Sequence, residues 1–350
     1  MKLKLLFSLL GLALLTSGCT LSFGGGPSGP DGGIFRSINK GLAWNQASVV
    51  PTASGQPASL VQFDANFIVM DPGDHNTLYY GAKDNGLFVS YDNAQSWTPL
   101  RATSANNISN LVVDPVWRCT LYAASVNRLT KSVDCGRSWE QVYYDNDPSV
   151  GVTALAIDHF DNQILYIGTT RGEVIISNDA GKSWRTSERF NNQISKIAVS
   201  PSDSRLVFAA TVGQGIYRSN NKGVSWDSLD EALSEFPNHR QFRDIYISKN
   251  YPGHVLLANN YGLLLSTDYG DTWQSLRLIT PENNAMIYSA IISEHSDKEI
   301  FYVTGTTFYS TVDGGSNWST RKLPSARAGW QILEHPDQPG LLYMTVREQK

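Results

Sequence analysis

Carboxylate and amide side chains recur along this chain inside one eight-residue pattern that ends in tryptophan. Examples are SNDAGKSW at 177–184, SVDCGRSW at 132–139 and SNNKGVSW at 219–226. The other copies are STDYGDTW at 266–273, SYDNAQSW at 90–97, SINKGLAW at 37–44 and TVDGGSNW at 311–318. The third position is Asn39, Asp92, Asp134, Asp179, Asn221, Asp268 or Asp313, and the eighth is Trp44, Trp97, Trp139, Trp184, Trp226, Trp273 or Trp318. Such acids could bind metal, donate protons or fix a turn.

The residue types of the pattern favour the turn. An aspartate can accept hydrogen bonds from nearby backbone N–H groups, and glycine supplies the positive φ that a tight turn needs. The serine hydroxyl adds a local bond, and tryptophan provides a large apolar plate. Catalysis does not require seven copies of one acid, so we interpret the pattern as structural. Ala94 replaces the glycine in one copy, which predicts a looser turn there.

The spacing of the pattern predicts the architecture. Successive tryptophans lie 42 to 53 residues apart, a period typical of one four-stranded unit. Within residues 151–186, the runs TALAID, QILYIGT and VIIS read as three short strands before the pattern and its fourth strand. The pattern therefore occupies the hairpin between the third and fourth strands.

The two ends of the chain complement each other. The first copy is preceded by only a third strand, IFRSIN, and the last segment, GWQILEHPDQPGLLYMTV, supplies only a first and a second strand. Joined, they complete one unit and leave no open sheet edge. We therefore predict an all-β fold, a seven-bladed β-propeller of four-stranded blades over residues 34–350, whose N- and C-terminal strands share one blade.

The first thirty-three residues read as a targeting segment. Lys2 and Lys4 precede an apolar run at 5–15 that is too short to cross a bilayer, and TSGC follows it. Residues 1–18 are therefore predicted to be a lipoprotein signal peptide, with lipid on Cys19 and a Gly/Pro/Ser-rich tether over 19–33. A plain secretory signal is the alternative. Either reading places the body outside the cytoplasm, and lipidation would anchor it at an outer membrane or cell surface.

Charge and cysteine content limit the classes of ligand that we expect and raise the possibility of a disulfide. The chain has 28 basic and 32 acidic residues and a formal charge of −4. No basic block suggests nucleic acid, and no spacing suggests a metal or another cofactor. Cys119 and Cys135 fall in turns on one face of the same blade, so in an oxidising compartment they can form a disulfide, or they remain separate thiols.

The repeated pattern resembles the Asp-box, or bacterial neuraminidase repeat, S-x-D-x-G-x-[ST]-W. The resemblance covers residues 34–346, and five of the seven copies match well. Asp-boxes occur in sialidases, xyloglucan-active glucanases, sortilin-type receptor propellers and photosystem II assembly-factor propellers. The resemblance therefore implies the fold, and function must be argued from a site.

Two enzyme classes are weakly supported by these residues. Sialidases need converging arginines and an early Arg-Ile-Pro stretch, and IFRSIN has Arg36 without it. The glucanases take one aspartate from each of two propellers, and these repeats form one. A glycan-cleaving hydrolase remains the alternative, and it needs two carboxylates about 5–10 Å apart. The candidate acids are Asp84, Asp145, Asp147, Glu173 and Asp230.

A partner-binding role is the leading expectation. We call the face with the Asp-box turns the box face, and the face with the second-to-third turns and the blade-to-blade loops the loop face. Rigid rings with variable loops suit binding, and arginine and aromatic side chains make effective anchors. We therefore predict a non-catalytic envelope protein that binds a protein or glycan, in an oligomeric state left open; a photosystem II assembly-factor-like role is a further alternative. The candidate residues are Lys83, Arg101, Tyr143, Tyr144, Arg171, Glu173, His239, Arg243, Tyr261, Arg327 and Trp330.

Overall fold

Short runs of β-branched and aromatic residues, separated by turn residues, fold into seven antiparallel four-stranded sheets in the described part of the chain. The computed structural model describes residues 31–100, 107–284 and 286–349. The signal peptide, Cys19, most of the tether and Arg101 lie outside these ranges. The prediction of a seven-bladed propeller is confirmed.

The blades are numbered from the one that contains both termini. Blade 1 contains β1 (Ile34–Ser37), β2 (Asn45–Gln46), β29 (Ala328–Glu334) and β30 (Leu342–Arg347). A small hairpin of β3 (Val49–Val50) and β4 (Ala58–Ser59) and a 3-10 helix at Leu60–Gln62 lead to the next blade. Blade 2 contains β5 (Ala65–Asp71), β6 (Asp74–Ala82), β7 (Gly86–Ser90) and β8 (Thr98–Leu100). Blade 3 contains β9 (Ile108–Val113), β10 (Leu121–Ser125), β11 (Arg128–Ser132) and β12 (Glu140–Tyr144).

The remaining blades repeat this order. Blade 4 contains β13 (Val152–Ile157), β14 (Leu165–Thr169), β15 (Glu173–Ser177) and β16 (Arg185–Arg189). Blade 5 contains β17 (Ile194–Val199), β18 (Val207–Thr211), β19 (Ile216–Ser219) and β20 (Asp227–Ser228). Blade 6 contains β21 (Phe242–Ile247), β22 (Val255–Asn259), β23 (Leu263–Ser266) and β24 (Gln274–Ser275). Blade 7 contains β25 (Ser289–Ser293), β26 (Ser296–Val303), β27 (Thr307–Thr311) and β28 (Ser319–Lys322).

The ring closes in blade 1, as the sequence predicts. β1 pairs antiparallel with β30, with Phe35 opposite Met344 and Ile34 opposite Thr345. The core lies between neighbouring blades, where buried side chains of one sheet pack on the next. Tyr122 and Leu129 of blade 3, for example, share one apolar cluster with Leu155 and Ile167 of blade 4. Each blade therefore depends on both of its neighbours for burial.

A ring of side-chain hydrogen bonds joins the first strands of all seven blades around the central channel. Each first strand is tied to the next at 2.5–3.3 Å. In order, the ties join Asn66 to Ile108, Ser109 to Val152, Thr153 to Ile194, Lys196 to Asp244, Asp244 to Ala290, Ser289 to Ile332 and Gln331 to Ile68. These bonds pair polar groups of the channel wall that would otherwise lack a partner. They also hold the seven first strands in place around the channel.

Candidate functional site

The Asp-box side chains bond within their own turns. Asp179 Oδ1 accepts from Ser177 Oγ and Ser183 N, each at 2.8 Å, and Oδ2 accepts from Ser183 Oγ at 2.5 Å. The bond from the Ser183 hydroxyl is the main reason that the pKa of Asp179 falls from its ordinary 3.8 to about 2. Asp134 and Asp313 are held in the same way, each with a pKa of about 2. Such carboxylates remain ionised and engaged, which fits a structural role.

Four of the seven box tryptophans, Trp97, Trp184, Trp226 and Trp318, bond to the blade before their own. Trp139 and Trp273 donate within their own turns instead. The indole N–H of Trp97 donates to Ala47 O, that of Trp184 to Val142 O and that of Trp318 to Arg277 O, at 2.8–2.9 Å. Each acceptor lies in or just beyond the fourth strand of the preceding blade. These four boxes therefore help to hold neighbouring blades together. No cluster of His, Cys, Asp and Glu side chains that could hold a metal is found among the described residues.

The turn that carries Ala94 is as regular as the others, so the prediction of a looser turn is wrong. Ala94 adopts φ 63°, and its N–H donates to Ser90 Oγ at 2.9 Å, as glycine does elsewhere. Its methyl group is fully buried. Burial of the methyl group therefore offsets part of the cost of a left-handed alanine.

A disulfide joins Cys119 to Cys135 across 16 residues of sequence. It connects the first-to-second turn of blade 3 to the box turn of the same blade, and the Cys135 N–H also donates to Cys119 O at 3.0 Å. The two turns are therefore held together on the box face.

An arginine-bridged group on blades 3 and 4 brings several of the predicted residues together on the loop face. Arg171 Nη2 lies 3.0 Å from Asp145 Oδ2 and 2.9 Å from Glu173 Oε2. Arg189 Nε lies 2.9 Å from Glu173 Oε1, and the Tyr143 hydroxyl donates to Asp145 at 3.3 Å. We call these five residues, Tyr143, Asp145, Arg171, Glu173 and Arg189, the arginine cluster.

Burial differs sharply within the arginine cluster. The carboxylates of Asp145 and Glu173 are 9% and 3% exposed, whereas Arg171 and Arg189 are 47% and 70% exposed. The buried acids therefore orient exposed guanidinium groups, which suits charge-assisted recognition of a partner carboxylate. The sequence indicated Tyr143, Arg171 and Glu173, but it gave no reason to select Arg189. Tyr144 is the next residue along the strand after Tyr143 and is 45% exposed.

A second group of predicted residues meets on blades 5 and 6. His239 Nε2 lies 3.1 Å from Asp230 Oδ1, and Arg240 Nη2 lies 2.7 Å from Asp230 Oδ2. The Tyr261 ring packs edge-on against Phe236 with centroids 5.3 Å apart. These contacts fix the loop 229–242.

Two other predicted residues stand apart from these groups. Arg243 donates to Asn260 Oδ1 at 2.9 Å. Lys83 lies half-buried in the second-to-third turn of blade 2. Neither residue joins the arginine cluster.

Arg327 and Trp330 lie inside the closure of the ring. Arg327 is only 13% exposed, lies 2.7 Å from Asp64 and contacts Asp31 and Glu348. The Trp330 indole N–H donates to Asn66 O at 3.0 Å, and its ring stacks under Arg347. This placement does not support the prediction that Arg327 is an accessible binding residue. Its guanidinium group is mostly buried and lies against three carboxylates.

Most of the carboxylates that were candidates for a hydrolase pair already bond to other groups of this protein. Asp145 and Glu173 share one nitrogen of Arg171, so their nearest oxygens are no more than about 6 Å apart. That separation fits a hydrolase pair, but the arginines neutralise it and Glu173 is buried. Asp147 accepts from the hydroxyl and N–H of Ser149, which lower its pKa. Asp84 lies exposed in a left-handed turn conformation, with φ 59°.

The sequence reading missed an acidic pair in the central channel, a cavity of about 830 Å³. Glu334 accepts from Glu294 N at 2.8 Å, and the Tyr246 hydroxyl donates to the Glu294 carboxylate. Burial raises the pKa of Glu334, and Glu294 Oε2 is buried without a partner among the described residues. The repeated Glu-His-x-Asp segments at 294–297 and 334–337 are the signal that could have revealed this pair.

Comparison with known proteins agrees with the architecture. Residues 127–241 match the family model described as sortilin, neurotensin receptor 3. A xyloglucanase, Xgh74A of Acetivibrio thermocellus, is 22% identical over 319 residues, which cover 72% of this chain and 37% of that protein. The chain thus spans little more than a third of this relative's length.

Solved structures show the same fold. A GH74 xyloglucanase from Xanthomonas campestris has a TM-score of 0.65 at 16% identity, over 81% of this chain and 51% of that one. YCF48 bound to D1 peptide has a TM-score of 0.62 at 16% identity, over 81% of this chain and 93% of that one. The chain is a seven-bladed Asp-box-type propeller. At such low identity these structures show the fold alone, and any activity must be argued from the sites described above.

Proposed function

We propose that this protein is a non-catalytic propeller of the cell envelope that binds a protein partner through its loop face, centred on the arginine cluster. The observation that supports the proposal most is the contrast in exposure between Glu173 at 3% and Arg189 at 70%. Guanidinium groups that buried acids hold in place lose little conformational freedom on binding, and arginine and tyrosine are preferred anchors at interfaces.

Location and partner class have separate support. The disulfide between Cys119 and Cys135 suits an oxidising compartment, and the lipoprotein-like start of the sequence would provide a membrane anchor. Among single propellers of this size, YCF48 has been solved with a D1 peptide bound. A peptide segment bearing carboxylates is therefore the partner chemistry that we favour.

The experiment is affinity capture from envelope extract with the propeller immobilised. A double variant, Arg189→Ala with Tyr144→Ala, removes two exposed anchors and leaves Arg171 to neutralise Glu173. The matched control is Arg205→Ala, an arginine 72% exposed and also paired with an aspartate, but on the box face. We expect a stoichiometric protein that the wild type and the control retain and the double variant loses. Equal retention by all three proteins would contradict the proposal.

Glycan hydrolysis is the second candidate, favoured by the Glu294–Glu334 pair and by the xyloglucanase similarity. A carboxyl whose pKa is raised by burial can act as a general acid. Release of reducing ends from xyloglucan or cell-wall glycan, abolished by Glu334→Gln, would establish this activity and displace the binding proposal. We expect no release.

A further inference from the structure

The chain enters the propeller on the loop face, beside the closure of the ring. β1 is the third strand of its blade, and third strands run from the loop face to the box face. Asp31, Gly32 and Gly33 come directly before β1, so they lie at the loop-face end of blade 1. The tether predicted from the sequence is covalently joined to this point. Whatever path the tether takes, it therefore starts on the loop face.

Arg327 fixes the point of entry. Its guanidinium group is 13% exposed and lies 3.6 Å from Asp31, 2.7 Å from Asp64 and 3.5 Å from Glu348. The Asp31 carboxylate also accepts from the Ala326 N–H at 2.6 Å. These partners come from the blade-to-blade loops before blades 1 and 2 and from the end of β30. The buried arginine thereby ties the entry point to three other segments of the loop face.

The two glycines after Asp31 are held just as closely. Both are buried, and their N–H groups donate to Val61 O at 2.8 Å from Gly32 and to Phe63 O at 3.0 Å from Gly33. A Cβ atom at Gly32 would lie 2.8 Å from Val61 O, so this close approach requires glycine. The entry point is therefore part of the rigid ring.

The length of the tether limits how far the ring can stand from an anchor. Eleven residues separate Cys19 from Asp31, and four of them are glycine. At about 3.6 Å per residue, the two ends cannot be more than about 43 Å apart. To turn the box face to a membrane, the tether would first have to run down blade 1, whose strands of six and seven residues are roughly 20–23 Å long. Ordering a glycine-rich segment in this way costs conformational entropy, so the loop face is favoured.

We infer that lipid on Cys19 holds the loop face, and with it the arginine cluster, toward the membrane. Cys19 lies outside the described residues, and the inference rests on the proposed function, to which it adds the position of the partner. The carboxylates that Arg171 and Arg189 meet then belong to a protein segment exposed close to the same bilayer. Holding both proteins at one membrane raises their effective concentration, so a modest affinity suffices.

Energy transfer to the bilayer from matched positions on the two faces tests the orientation. Blade 3 offers Val126 on the loop face and Val133 on the box face, and blade 5 offers Val212 and Val224 in the same relation. All four valines are 53–68% exposed. Each is replaced in turn by cysteine in the full-length lipidated protein and labelled with a donor dye without reductant, which leaves the disulfide closed. The protein is then inserted into phosphatidylcholine vesicles that contain an acceptor-labelled lipid.

We expect more transfer from Val126→Cys than from Val133→Cys, and more from Val212→Cys than from Val224→Cys. Within each pair the apparent distance to the bilayer should differ by about 20 Å, the height of a blade. A ring standing on its edge would instead bring both positions of one blade close and both of the other far. Equal or reversed transfer within the pairs would overturn the inference. Thermal unfolding establishes that each labelled protein is folded.

A longer tether provides the control. Two further copies of residues 20–30 extend its reach about threefold, so the difference within each pair should shrink. An undiminished difference would mean that the ring itself binds lipid, and it would remove the tether as the cause. A wild type whose mass shows no lipid on Cys19, or a Cys19→Ser protein that stays on the vesicles in the same orientation, would also overturn the inference. The vesicles contain no partner, so failure of partner capture leaves every one of these outcomes unaffected.

Discussion

The two faces of this propeller are built on opposite principles. On the box face, one hydrogen-bonded turn is repeated, and its Asp or Asn side chain bonds within that turn, as Asp179 and Asn221 do. On the loop face, every connection differs, and polar side chains bond between blades, as Arg171 does with Asp145 and Glu173. The repeated turn fixes the ring, and the irregular loops are free to specialise. Conspicuous repetition therefore marks structure here, and singular contacts mark the candidate binding site.

The largest effect should come from a box tryptophan. Trp97 is fully buried and donates to Ala47 O, so Trp97→Ala should lower the free energy of unfolding by about 3–5 kcal/mol. Trp318 holds the same position in its own turn but is only partly buried, and Trp318→Ala should cost less. Denaturant unfolding of both variants measures the difference. Equal losses would show that the boxes do not act through burial.

The disulfide should have the next largest effect. It closes a loop with a sequence separation of 16, so Cys119→Ala with Cys135→Ala should lose about 3 kcal/mol by the chain-entropy estimate. The Asp114 bonds should still hold the turn, so the ring should remain folded. Thermal unfolding and mass analysis of the thiols check both points. Free thiols in wild-type protein purified without a reductant would contradict the pairing.

Acid titration should give the smallest effect, and it comes from the box face. The pKa of Asp134 and of Asp179 is about 2, below the ordinary 3.8, chiefly because of their serine hydroxyl bonds. The ionised forms therefore stabilise the fold fully above about pH 4, and the contribution disappears as the pH falls toward 2. Thermal midpoints measured from pH 5 to pH 2 should decline for the wild type.

Replacing both Asp134 and Asp179 with asparagine should reduce the fall of the thermal midpoint between pH 5 and pH 2. Asn221 already accepts from Ser219 and Ser225 at 2.9 Å in the same geometry, so the exchange should be tolerated at neutral pH. An unchanged acid profile in the double variant would mean that other carboxylates govern acid unfolding.

Local repetition explains which parts could be predicted from sequence. The box fixes the hairpin in which Asp179 lies, its period gives the blade count, and the unpaired strands at the two ends give the closure. The cysteines could be paired in principle because both lie in turns of one blade. Each of these inferences needs only the order of residues along the chain.

Contacts between distant segments explain what could not be predicted. Arg327 reads as an exposed loop residue until Asp31, Asp64 and Glu348 are brought around it from three separate segments. Arg189 gains its role only because Glu173 of the neighbouring strand is buried beneath it. The Tyr246–Glu294–Glu334 contacts span three blades. The repeated pattern in the sequence gives no information about these side-chain contacts.

Photo-crosslinking from each face in intact cells tests the division of roles most directly. A photoreactive phenylalanine analogue would replace Tyr144 on the loop face in one protein and Phe160 on the box face in another. We expect position 144 to give a discrete adduct with one protein, and position 160 to give no discrete protein adduct. A discrete protein adduct from position 160 and none from position 144 would contradict the account.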